Sequence, residues 1–412
     1  MNTAGIQITQ DETVRTATSG AVPVRVVLVQ PVIPAYNIPV YEAMAKLDGI
    51  DFTVWADLQS KSQLNQYDKR HHQFVAKHLP SKMIGGFVIR PGLLKRLVAE
   101  RPDIVILNGN QRDISDALAM PLCRLIGCGV AVWNMFHRIG PKLWWSELFM
   151  RYAGWMSHLL LCYGERGRSE QLRRGTSPDK IRVISTAIDE RSIINVRDSI
   201  GKDEVKEFIE SQDLAGKHIL LHIVRLTEIK RPDLMVNYYA RLLQTRDDVE
   251  LVWIGGGPLE DMVKNRAKEL GIFKKMRFLG PVYDERKLAL WYLAGSVFVM
   301  ATCIGLSIHH AMCYGVPVIT DDNEFTQASE FEVLQSGVNG FAYRSGDADD
   351  FVEKVNRVLD DSDLRKRLSA NARKRLEVEY TLARKVENIA AALSFLQSKS
   401  RTGSKKHLAF SQ

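Results

Sequence analysis

Residues 297–320, VFVMATCIGLSIHHAMCYGVPVIT, compress a strand, a tight turn, a short helix and the start of a second strand into two dozen positions. VFVMA is the continuous apolar run of a strand buried on both faces. Cys303, Ile304 and Gly305 interrupt it, and LSIHHAMCYG predicts a brief helix closed by Gly315, with Pro317 barring continuation and PVIT opening the next strand. Strand, helix and parallel strand at this spacing belong to an open α/β sheet. Such sheets bind anionic ligands at the carboxyl ends of their strands, where helix N–H groups point outward. An ordinary crossover has the same outline, so its surroundings decide.

The same rhythm runs through the chain. Apolar runs at 24–30, 52–56, 104–109, 129–135 and 158–164 predict strands with helices between them, one starting near Pro39, and residues 182–189 close the set. The pattern restarts at 217–226 and continues through VELVWIG, MRFLG, SVFVMA, VPVIT and GFAYR, with helices predicted over 231–246, 259–270 and 285–294. At 412 residues the chain is too long for one ordinary core, so two doubly wound domains in tandem are expected. The expected division is a disordered tail over 1–20, a first domain over 21–195, a charged linker or surface helix over 196–215 and a second domain over 216–378. A helix over 379–397, packing back on the first domain, and a flexible basic tail over 398–412 complete it.

A net charge of +8 favours an anionic partner: nucleotide phosphates, nucleic acid or an acidic membrane surface. Aromatic residues are not interleaved with the basic clusters as a stacking platform requires, which sets nucleic acid aside. Five cysteines form no C-x-x-C pair and leave one over, which suits buried thiols in a reducing compartment. No run of 18 apolar residues occurs and the N-terminal stretch is polar and contains acids, so neither a membrane span nor a secretory signal is expected, and the expected address is the cytoplasm.

GGGPLE, residues 255–260, follows a strand and opens a helix, but Glu260 stands where a dinucleotide fingerprint needs its third glycine. Gly255, Gly256 and Gly257 suit either close approach of a ligand or a tight turn. P-loop, G-x-S-x-G and H-E-x-x-H patterns are absent from the sequence. His309 and His310 are helix neighbours that point to different faces, so no metal site is expected there.

HIVRLTEIKRPDLMVNYYARL, VELVWIGGGPLEDMVKNRAKELGI, MRFLGPVYDERKLALWYLAGSVFVMAT and GLSIHHAMCYGVPVIT, in this order over residues 217–344, resemble the donor-domain blocks of retaining GT-B glycosyltransferases, family 4 (glycosyl transferases group 1). The first half resembles that family more loosely, through its strand rhythm and AVWNMFHRIGP. The resemblance implies two Rossmann-like domains facing each other across a cleft. The implied activity is metal-independent transfer of a sugar from a nucleotide-diphosphate sugar to a glycan or lipid-linked oligosaccharide, in exopolysaccharide, O-antigen or capsule assembly. No cofactor beyond the donor is implied. A nucleotide-sugar 2-epimerase of the same fold and a non-catalytic binding protein are the alternatives.

Block by block, the resemblance assigns Arg225 and Lys230 to the donor diphosphate, Gly305, Leu306 and Ser307 to the distal phosphate through their amides, and Gly256, Gly257, Pro281 and Val282 to the donor loops. Two cations five residues apart after a buried strand suit this, since they can neutralise a leaving pyrophosphate as a divalent metal does elsewhere. The sequence departs from the family at two glutamates separated by seven intervening residues, here Thr302 and His310, beside the transferred sugar and the ribose. Val224 also replaces the usual glycine before Arg225.

His137 is the first-domain candidate for catalysis or acceptor orientation, with Asn108, Asn134 and Arg138 as acceptor-side candidates at strand ends. PKLWWSELFMRYAGWMSHLL, residues 141–160, gathers Trp144, Trp145, Tyr152 and Trp155 with Lys142 and Arg151. It reads either as core or as an interfacial helix for anionic lipid, with Lys95 and Arg96 adding positive charge, so the expected location extends to the inner face of the membrane.

Overall fold

The computed structural model describes residues 22–60, 62, 68, 72–140 and 143–407, of which 399–407 by backbone only. The tail expected over 1–20, Lys142 and residues 408–412 lie outside the described residues.

Most of the strands are runs of Val, Ile and Leu covered on both faces, the condition under which parallel sheets are stable, while three short ones in the first half are largely exposed. In the first half the strands are β1 (Val24–Val29), β2 (Ile50–Ala56), β3 (Val75–His78), β4 (Lys82–Ile84), β5 (Phe87–Ile89), β6 (Ile104–Leu107), β7 (Gly129–Asn134), β8 (Leu159–Cys162) and β9 (Ile181–Val183). Seven of them make a parallel sheet in the order β3-β2-β1-β6-β7-β8-β9, and β4 and β5 pair as a hairpin. The second half supplies β10 (His218–Ile223), β11 (Val249–Ile254), β12 (Met276–Gly280), β13 (Val297–Val299), β14 (Val318–Asp321) and β15 (Gly340–Tyr343), in the order β12-β11-β10-β13-β14-β15. In both sheets the order reverses next to the first strand, between β1 and β6 and between β10 and β13, and each reversal opens a crevice at the strands' carboxyl ends.

Alternate strand residues feed opposite cores. In the first sheet, Leu28, Ile106 and Trp133 point to one side and Val27, Val105 and Val132 to the other. Helix Leu382–His407 crosses from the second domain to cover the first of these faces with Ile389, Ala392, Leu393 and Leu396. All five cysteines are buried and unbonded.

Three features depart from or add to the sequence expectation. The stretch expected as a linker or surface helix is helical, Glu190–Asp198 and Lys202–Ser211, but it packs inward, with Ile188 and Ile193 buried in the second core and Phe208 set edge-on to Trp291 at 4.8 Å. These apolar residues are sparse but share one side, so the segment belongs to the second domain rather than bridging two. The last helix runs to His407 instead of ending at Gln397, because a helix anchored by packing continues cheaply where no proline stops it. The β4–β5 hairpin turns on Gly85 and Gly86, both at positive φ, a two-glycine signal that sequence reading passed over.

Candidate functional site

β10 and β13 are parallel neighbours, Leu220 opposite Val297 and Leu221 opposite Phe298, so the loop after β10 and the turn after β13 emerge side by side at the sheet's reversal point. Lys230 ends the short 3-10 turn Glu228–Lys230 in the first of these. Its ammonium donates to the Cys303 carbonyl oxygen and lies 3.7 Å from Cys303 Sγ. A Cβ placed on Gly305 would stand 3.6 Å from Lys230 Nζ. Cys303 sits at φ +51°, a left-handed conformation that non-glycine residues adopt rarely.

That turn is braced from below. Tyr343 Oη donates to the Ala301 carbonyl at 2.6 Å, and the Ile304 amide donates to Gln327 Oε1 at 2.8 Å. The next amides, those of Gly305, Leu306 and Ser307, make no hydrogen bond to another described residue at the start of helix Ser307–Cys313. Beneath them His222 is enclosed: its Nδ1 meets the Val299 carbonyl at 2.7 Å, its Nε2 has no partner, and burial pushes its pKa down to about 4, with Lys230 adding to the shift. A neutral imidazole therefore underlies the cation.

Arg225 is exposed just past β10. Its neighbours are tied down, the Val224 amide to the Ile254 carbonyl at 2.9 Å and the Leu226 amide to the Gly256 carbonyl at 3.0 Å. This explains two of the three glycines. A Cβ on Gly255 would overlap the Val224 carbonyl, and one on Gly257 the Leu226 carbonyl, whereas Gly256 would make only ordinary 3.5 Å contacts with Glu260 and Pro281. Close packing of loop on loop thus accounts for Gly255 and Gly257, and Gly256 and Pro281 bring a third loop to the crevice, with Val282 half-buried behind it.

Thr302 and His310 are placed differently from one another. Thr302 is 6% exposed and donates to Thr326 Oγ1 at 2.8 Å, in a network that reaches Asp321. His310 stacks on Tyr292 with ring centroids 6.3 Å apart, and burial lowers its pKa to about 4. A carboxylate does approach the turn, from a residue the sequence reading did not single out. Glu330, in the short helix Ser329–Val333, lies within electrostatic reach of Lys230, Lys385 and Cys303, and burial raises its pKa above the ordinary range.

Residues 204–375 match the family model described as glycosyl transferases group 1. The match covers most of the second domain. Spore coat protein SA of Bacillus subtilis (strain 168) is 23% identical to the chain over 238 residues, 54% of this chain and 61% of that protein. The O-antigen chain mannosyltransferase C of Escherichia coli is 28% identical over 140 residues, 33% and 37% of the two chains. The chain therefore spans 61% and 37% of the lengths of these relatives. Among solved structures, Anabaena Alr3699/HepE in complex with UDP superposes with a TM-score of 0.72 at 17% identity, over 90% of this chain and 99% of that one. The fold is GT-B.

Facing the group 1 domain, the first domain presents the ends of β6 and β7. Asn108 donates to Gln30 Oε1 at 2.9 Å, and Asn134 Nδ2 donates to the carbonyls of Asn108 and Gly109, both at 3.0 Å. These two candidates thus tie loops together. His137 is 3% exposed; its Nδ1 meets the Met135 carbonyl at 3.3 Å and its Nε2 is unpartnered, as is Arg138 Nη1. Both residues line a cavity of about 20 Å³, room for roughly one water, with Arg166, Glu170 and Arg174 from the first domain and Phe325 from the group 1 domain. Burial and the Arg166 guanidinium lower the His137 pKa to about 4, so near neutrality the ring carries no charge, and with Nδ1–H turned to the Met135 carbonyl its Nε2 is a hydrogen-bond acceptor.

The group 1 domain reaches across at several points. Glu332 accepts from the amides of Glu165 and Arg166, and Phe325 accepts at its carbonyl from the Gly140 amide at 3.0 Å. Buried Lys385 lies over the rings of Trp133 and Tyr163, 5.3 and 5.1 Å from their centroids. Glu332, Arg166 and Lys385 went unnoticed in the sequence because each is a lone charge whose partner sits in the other domain, and Glu330 because Lys230 lies far from it in the chain.

Proposed function

We propose that this protein transfers a sugar from a nucleotide-diphosphate sugar to a glycan or lipid-linked oligosaccharide, with retention and without a metal, in cell-surface polysaccharide assembly. The observation that carries the reading is Lys230 braced on the Cys303 carbonyl beside three unpaired amides, those of Gly305, Leu306 and Ser307. A cation and a set of aligned N–H groups at a strand's carboxyl end form a receptor for pyrophosphate. The UDP bound by the structurally similar Anabaena protein supports the same ligand class, and the O-antigen relative supports the pathway class.

In this reading Arg225 and Lys230 stabilise charge that grows on the departing diphosphate, so their effect is greater in the transition state than in the bound donor. The leaving phosphate helps deprotonate the acceptor hydroxyl. Gly256, Gly257, Pro281 and Val282 border the nucleotide, His310 bonds the ribose, Thr302 faces the transferred sugar, and neutral His137 orients a sugar or acceptor hydroxyl with Arg138 nearby.

The deciding experiment screens UDP-, GDP- and ADP-sugars for thermal stabilisation and slow hydrolysis. Stabilisation with release of free sugar of retained anomeric configuration is expected. Interconversion of donor sugars would indicate an epimerase, binding without turnover a non-catalytic protein, and no response to any donor would overturn the proposal.

A further inference from the structure

Helices Ile114–Leu125 and Trp144–Met156 lie side by side on one face of the first sheet. They are clasped by Tyr152 Oη donating to the Ala117 carbonyl at 2.6 Å and by Arg124 Nη1 donating to the Met156 carbonyl at 3.3 Å. Ala119, Met120 and Cys123 from one helix and Met150 and Ala153 from the other fill the core beneath. The outer side of such a helix is ordinarily polar.

Here it is apolar on both. Ile114, Leu118 and Leu125 are 41, 52 and 85% exposed, and Trp144, Leu148 and Trp155 are 75, 57 and 75% exposed. Positions 144, 148, 151 and 155 repeat at the helical period, so two tryptophans, a leucine and exposed Arg151 form one outward stripe beside that of the first helix. Arg124 is also exposed. The only acids of the two helices are turned away, Asp116 buried and Glu147 held by Arg174 at 2.8 and 2.9 Å. The patch therefore combines large apolar area with positive charge alone.

From this we infer that the two-helix face docks on a bilayer containing anionic phospholipid. Leucine and isoleucine enter the acyl boundary, the tryptophans sit at headgroup level, and Arg124 and Arg151 meet lipid phosphates. Charge complementarity selects this occupant over a second copy, since a two-fold pairing of the face with itself brings cations and no carboxylate to the joint. Arg96 takes no part, being bound to Glu100 and the His78 carbonyl over the Trp55 ring, while Lys95 is exposed. The inner side of helix Trp144–Met156 lines the His137 cavity with Ser146, Glu147 and Met150, so docking would bring the acceptor side to the lipid surface. That last step rests on the glycosyl-transfer reading, but the surface itself does not.

The test is co-sedimentation of the full chain with vesicles of phosphatidylcholine alone or mixed with phosphatidylglycerol. Binding is expected to the mixed vesicles and to fall with salt. Trp144→Ser with Trp155→Ser, and separately Arg124→Glu with Arg151→Glu, should each weaken it at least ~10-fold while UDP stabilisation stays near wild type, and the tryptophan pair should also keep the wild-type thermal stability. No binding to the mixed vesicles, binding that both double variants keep, or a dimer in light scattering that the tryptophan variants abolish would each overturn the inference. Vesicle binding without a response to any sugar nucleotide would fault the catalytic reading alone.

Discussion

The Glu332 carboxylate accepts the Glu165 amide at 2.7 Å, a hydrogen bond that leaves the group 1 domain and caps a helix of the other. The Arg166 amide binds the second oxygen at 2.8 Å, so helix Glu165–Arg173 takes its N-terminal anion from across the molecule. Gly164 leaves the room this needs, because a Cβ there would overlap the same carboxylate.

Glu332→Ala should therefore loosen the pairing of domains more than either core. We expect a loss of about 1–2 kcal/mol, the scale of a removed cap, seen as a lower Tm and faster proteolysis between the domains. An unchanged Tm would show that the cap contributes nothing to the assembled molecule.

Lys230→Ala should lower kcat by at least ~10²-fold, the scale of one lost oxyanion donor, with a smaller rise in KM for the donor. Steady-state kinetics on the best sugar nucleotide measures this. Near-normal turnover would remove Lys230 from the reaction.

The three neighbouring glycines should separate sharply. Gly255→Ala drives a methyl into the Val224 carbonyl and is expected to destabilise by about 1–3 kcal/mol, while Gly256→Ala meets only 3.5 Å contacts and should melt within about 0.5 kcal/mol of wild type. Any loss of UDP affinity in Gly256→Ala would then report on the ligand rather than on folding. Equal melting of the two variants would contradict the loop-on-loop explanation.

Acid should unfold this protein through its histidines. Burial pushes the pKa of His137 and His222 down to about 4 and that of His309 to about 3. The unfolded value lies near 6.5, so the neutral folded forms stabilise fully above about pH 6.5, and that contribution is lost as pH falls toward about 4. Each ring can cost up to about 1.4 kcal/mol per pH unit in that window. Tm followed from neutrality downward should drop steeply there, and His309→Asn should flatten the decline. A constant Tm over that range would refute the assignment.

How much of this was legible depended on whether the signal was local. The run from Val297 to Thr320 declared strand, turn and helix because its apolar residues, its glycines and Pro317 act within a few positions of each other, and the two-domain rhythm was legible for the same reason. Lys230 and the Gly305 turn could be paired only through family resemblance, since 75 residues separate them in the chain. Nothing local marks Glu332 as the cap of Glu165, or Lys385 as the cation above Trp133, because each acquires its role from a residue in the other domain. The roles of Gly255 and Gly257 were likewise undecidable until the Val224 and Leu226 carbonyls appeared against them. The outward stripe of Ile114, Leu118 and Leu125 was missed beside the louder cluster of tryptophans.

Helix Leu382–His407 has a consequence for synthesis. Leu28, Ile106 and Trp133 emerge from the ribosome long before the side chains that cover them, Ile389 through Leu396. The first half must wait, one greasy flank bare, while the entire second half is translated and folds. Neither half can thus be cut away as an independent piece without exposing what the other was keeping dry.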